Sequence, residues 1–202
     1  MKLDKKAFQK WSEWIEKIKT DLSIIVDRQQ IYDYFHDVVN NNLSHIQDHN
    51  GMLFCKFIND CYFIQAALAI RRHIKDNEDS ISLIKLLKQI KMCANQFTYE
   101  FYLSIFPVED WEWQEYTFKN FSTDGTSISA EKVDEDIQHL NNISKKVSDI
   151  VDQYFAHLDK RNLYKDEKLT LSEINESIEA FNKITCKYIA LLTSNEYLSL
   201  KS

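Results

Sequence analysis

Apolar residues recur every three or four positions along most of the chain, the spacing that gives an α-helix one buried face. Phe8, Trp11, Ile15, Ile18 and Leu22 begin the pattern, and Ile24, Ile25, Ile31, Phe35 and Val38 extend it, predicting a first helix over 5–41. Asparagines 40–42 and the segment 47–51 read as a helix end and a turn, with Asp48 or Asn50 placed to cap the next helix. A second helix is predicted over 51–76. Its apolar set of Phe54, Phe57, Ile58, Cys61, Ile64, Ala67 and Leu68 is broad enough to suggest the central buried helix.

A third helix should start at Ile81, with Asp79 or Ser80 as its N-cap, and end before Pro107. Residues 107–128 then read as an inserted loop, ordered because Trp111, Trp113, Tyr116, Phe118 and Phe121 would not all be left in water. Ser129 can cap a fourth helix to about Leu158. Thr170 with Glu173 forms the capping box that announces a fifth. The expected fold is an all-α bundle of about five long helices in one domain over 1–202, with 1–14 as an N-terminal extension.

Composition strengthens this reading. A chain of this length would ordinarily carry about 14 glycines and 10 prolines, whereas this one has two and one. Dinucleotide fingerprints and phosphate-cradling loops need glycine where the backbone meets the ligand, so both are excluded. The net charge of −6 argues against indiscriminate binding to nucleic acid or anionic membrane, yet leaves room for a local basic site. The most apolar run, 61–70, is shorter than the roughly 18 residues a membrane span needs, so no membrane association is expected. The first twenty residues mix charged and apolar side chains, unlike a signal peptide, which points to a cytoplasmic protein. Cys55, Cys61, Cys93 and Cys186 are scattered and read as buried thiols.

Neither a cofactor nor a metal ion is expected. His45 and His49 stand four apart, but Ile46 replaces the glutamate of a zinc-protease motif, and the pair reads as an exposed turn. His36, His73 and His139 are isolated and read as surface or boundary residues. The segment 154–161 differs in kind, since it places His157 and Asp159 at a helix end with Lys160 and Arg161 directly after them. His157 is suited to acid/base work near neutrality. Arg161, four residues on, would share its face and could hold a phosphodiester. An ordinary helix terminus with cations facing the dipole accounts for the same residues.

The segment from Asp152 through Tyr154, Phe155, His157 and Asp159 to Lys160 resembles the signature helix of HEPN domains, in the abortive-infection branch of the AbiU type. Upstream, Ala67 to Asp76, with Arg71 and Arg72, and Ser80 to Leu87 are similar to a second block of that branch. The resemblance runs from about Ile15 to Leu192. It implies a helical bundle that forms homodimers, and in many members a metal-independent endoribonuclease of a toxin or antiphage system. It carries His157 across as the catalytic histidine and Asp152 as the polar residue after the motif arginine. That arginine is absent, because Val151 stands in its place. Arg161, Lys160, Arg71 and Arg72 are the candidate substitutes for holding phosphate.

The resemblance leaves three readings: an RNA-cleaving HEPN protein with a substitute cation, a non-cleaving dimer that binds RNA, nucleotide or a neutralising protein partner, and a helical interaction protein of unrelated role. A homodimer is expected, with the fourth helix at its interface and the aromatic loop as a second candidate for it.

Overall fold

Asp4 opens the first helix, its carboxylate accepting the Ala7 amide at 2.8 Å, and α1 then runs from Lys5 to Asn41 as the sequence predicts. The computed structural model describes residues 2–106, 111–154, 169–195 and 199–201. After α1 come α2 (Leu43–Asp48), α3 (Met52–Ile74), α4 (Leu83–Met92), α5 (Tyr99–Ile105), α6 (Trp111–Phe121), α7 (Ala130–Tyr154) and α8 (Leu171–Thr193). The fold is all-α, and no strand occurs among the described residues beyond two isolated bridges, Thr98 with Ser127 and Ser122 with Ile128.

Local chemistry divides the chain more finely than periodicity does. The predicted third helix is split: Ser82 rather than Asp79 or Ser80 caps α4, accepting from Lys85 N–H at 3.2 Å. A 3-10 turn at Ala94–Gln96 comes next, and Thr98 caps the separate α5. The expected loop at 107–128 contains a helix instead. On α6, Phe118 and Phe121 are buried while Tyr116 faces out, and Phe121 meets Tyr188 of α8 edge-on at 5.0 Å. Thr170 and Glu173 do form the reciprocal capping box at the head of α8.

The centre of the bundle is α8, not α3. Ile174, Ile178, Phe181, Tyr188 and Leu191 of α8 are buried, enclosed between α1 and α7. The expected N-terminal extension is instead tied into the same core through Leu3, Phe8 and Trp11. Trp11 is 0% exposed, its indole N–H donates to Gln89 at 3.2 Å, and Phe8 meets Phe97 edge-on at 5.6 Å.

α3 buries Tyr62, Ala66, Ala67, Ile70 and His73, while Leu53, Phe54 and Phe57 lie exposed. Of the stripe that made it look central only Ala67 is buried, and Phe54, Phe57 and Leu68 face outward. By length and composition α3 is also apolar enough to cross a membrane, which the shorter run 61–70 did not suggest. Tyr32 of α1 stacks on Tyr62 of α3 at 4.3 Å, so the two helices form an antiparallel hairpin through α2. Gly51 closes that hairpin: a Cβ there would lie 2.8 Å from the Ile46 Cγ2, so any side chain would force Ile46 to shift.

Candidate functional site

The end of α7 places three consecutive residues differently. Ile150 and Val151 are buried, and Asp152 emerges at the surface of the bundle, half-buried against α3. Two cations reach it from the end of α3. Arg71 donates its Nε–H to Asp152 Oδ1, and Lys75 Nζ lies 2.6 Å from Oδ2. Arg71 and Lys75 are four residues apart, hence on one side of the helix. Cations at the C-terminus of α3 are favoured by its dipole, whereas a carboxylate near the C-terminus of α7 is not. The two cations offset that cost for Asp152.

Burial alone would raise the Asp152 carboxyl, but the hydrogen bonds and charges of Lys75 and Arg71 outweigh it and hold the group below its ordinary value. The cluster is thus ionised at neutral pH, with two positive charges and one negative. Arg71 spends its Nε–H on Asp152, and among the described residues its two terminal amino groups donate to nothing. Those groups have the planar geometry that grips a phosphate by two bonds at once.

Arg72 is directed elsewhere. Its Nη2 lies 3.0 and 2.8 Å from the two carboxylate oxygens of Asp21 on α1. His73 Nε2 is 2.9 Å from the same carboxylate. Of the two arginines flagged in sequence, Arg71 therefore joins Asp152 and Arg72 does not. His73 is not a boundary residue: it is buried, with Phe181 beside its ring. Its Nδ1 has no hydrogen-bond partner among the described residues.

Val151 is fully enclosed in the core, so the position of the missing motif arginine has been absorbed into packing. Lys75 was not singled out in the sequence. Its signal was available in the four-residue step from Arg71 at a helix end. His157, Lys160 and Arg161 lie outside the described residues. His45 and His49 sit in the exposed hairpin turn, rings 4.2 Å apart, and no group of three or more His, Cys, Asp or Glu among the described residues is placed to hold a metal ion. The thiols of Cys55, Cys93 and Cys186 are buried as expected, and that of Cys61 is half-exposed.

The family model described as AbiU2, a HEPN family, matches residues 8–201. No curated protein and no solved structure matches the chain. The family match extends from the second turn of α1 past the end of α8 and includes both helices that build the Asp152 cluster. The chain is a HEPN-like protein of the abortive-infection AbiU2 family.

Proposed function

We propose that this protein acts on RNA at a site shared between two copies, with Arg71 making the phosphate contact that the motif arginine makes elsewhere in the superfamily. The observation that carries the reading is the convergence of Arg71 and Lys75 on Asp152, the residue next to the arginine-less position 151. Asp152 orients the guanidinium through Nε and leaves its outer edge for a substrate oxygen. Lys75 adds charge without directional demand.

In this scheme His157 takes the proton from a ribose 2′-hydroxyl. The 2′-oxygen then bonds to the adjacent phosphorus, the bond from phosphorus to O5′ breaks, and O5′ picks up a proton. The products are a 2′,3′-cyclic phosphate and a 5′-hydroxyl. Arg71 holds the phosphate as charge develops, and Lys160 and Arg161 are further candidates for that contact. In a bacterial defence system, such a cytoplasmic activity would act as a toxin held in check by a neutralising protein. A binding-only role is the second reading, favoured by the fact that Asp152 already engages both cations.

The test is binding and cleavage of labelled RNA, in EDTA, by wild type, His157→Ala, Arg71→Ala and Arg72→Ala. Cleavage should vanish in His157→Ala, fall by about 10²–10³-fold in Arg71→Ala, and persist in Arg72→Ala. Binding without cleavage in the wild type selects the second reading. Neither binding nor cleavage across several RNAs overturns both.

A further inference from the structure

We infer that the cavity between α1 and the end of α3 binds a small phosphate monoester of about nucleotide size. The cavity has a volume of about 320 Å³ and is lined by Lys17, Ile18, Asp21, Arg72, His73 and Ile81. Two of these are cations that still have donors to offer. Lys17 has no hydrogen-bond or ion-pair partner among the described residues. Arg72, 59% exposed, meets Asp21 through Nη2, and among the described residues its Nε and Nη1 donate to nothing. Asp21 is the one carboxylate in the lining, and its charge is already met. Arg72 reaches both its oxygens, and His73 Nε2 lies 2.9 Å from Oδ2. With Nδ1 of the buried His73 unpartnered, Nε2 is the ring nitrogen that carries the proton to that carboxylate.

A ligand entering this space therefore meets Lys17 and the remaining donors of Arg72, a point charge beside a planar guanidinium, which together suit the dianionic head of a phosphate monoester. Two further cations stand close by. Trp14, one turn before Ile18 on α1, carries the Nζ of Lys10 and Lys85 over its ring at 4.5 and 5.6 Å. The apolar walls are fixed: Ile18 is buried in the core, and Ile81 follows a loop that Lys85 holds down, its Nζ 2.7 Å from the Asn77 carbonyl and 3.1 Å from that of Ser80. The volume is at the lower end of the range for small-ligand sites and well above what a bare phosphate fills, so a compact organic body has room against the two isoleucines. This site does not rest on the RNA reading above. It uses Arg72, whereas the Asp152 cluster uses Arg71, roughly 100° further round the helix.

The experiment is isothermal titration calorimetry of the full chain with AMP, ribose 5-phosphate and adenosine, in wild type, Lys17→Ala, Arg72→Gln and Arg71→Ala, each checked by circular dichroism. Both phosphate monoesters should bind at one per chain, and adenosine, which lacks the phosphate, should not. Lys17→Ala and Arg72→Gln should each weaken AMP by about 10-fold or more. Lys17 holds nothing else in the described fold, so its variant decides the matter even where Arg72→Gln loses helical structure. Arg71→Ala, in which the RNA reading expects cleavage to fall, should bind AMP as wild type does. The inference is overturned by the absence of saturable binding of either monoester at millimolar concentration, by adenosine binding as tightly as AMP, by unchanged affinity in Lys17→Ala, or by an equal loss in Arg71→Ala.

Discussion

At the end of α3 two neighbouring arginines are drawn to different flanks, Arg71 to Asp152 of α7 and Arg72 to Asp21 of α1. The second contact is the more exposed of the two, but Asp21 also meets the Nε2 of the buried His73. That histidine bond is the main influence holding the Asp21 carboxyl below its ordinary value, with burial opposing and Arg72 assisting. A carboxylate depressed in this way stabilises the fold fully above its unfolded value of about 3.9 and loses that contribution as pH falls through the lower folded value. Asp21→Ala should therefore cost about 1–2 kcal/mol at pH 7, low in the range for charged hydrogen bonds because Asp21 is partly exposed. Urea unfolding at pH 7 and pH 3 checks it: the variant's deficit should shrink in acid, and an unchanged deficit would remove the ion pair as its cause. In sequence Arg71 and Arg72 are equivalent, since their partners lie 81 and 51 positions away and local spacing carries no record of them.

Where an element is set by its own residues, it could be read in advance. α1 starts and stops where its periodicity does, and the capping box of Thr170 and Glu173 opens α8. Thr170→Ala should cost about 1 kcal/mol, a fall of roughly 2–4 °C in Tm for a domain of this size. Circular dichroism melting measures it, and a Tm unchanged within error would mean that packing alone holds the first turn. α6 was hidden because its aromatic residues looked like an ordered loop, whereas Phe118 and Phe121 are the buried side of a helix docked on α8. α3 was legible as a helix and misread as to its surroundings. Periodicity reports that a stripe exists, not whether the stripe meets the core or leaves it.

At the scale of the whole molecule, the bundle is filled by α8 and the first turns of α1, and among the described residues Ile31, Tyr34, Val38, Leu53, Phe54 and Phe57 turn apolar surface outward on the α1–α3 hairpin. The two-copy reading predicts that dilution lowers thermal stability. Wild-type Tm should rise with protein concentration across the micromolar range. Differential scanning fluorimetry over a 100-fold concentration series measures it, and a single Tm throughout would remove the second copy from the reading. The all-α class and the family resemblance were legible because helix period and short motifs survive in one dimension. The Asp152 cluster was only half legible, with Arg71 and Asp152 named but not joined, and Lys75 unseen. The two arginine contacts at the end of α3 also have a mechanical meaning. They restrain the helix from two sides, roughly 100° apart around its axis, through Asp152 of α7 and Asp21 of α1. Two stays at that angle fix the rotation of α3 about its own axis, so Arg71 meets Asp152 in one orientation.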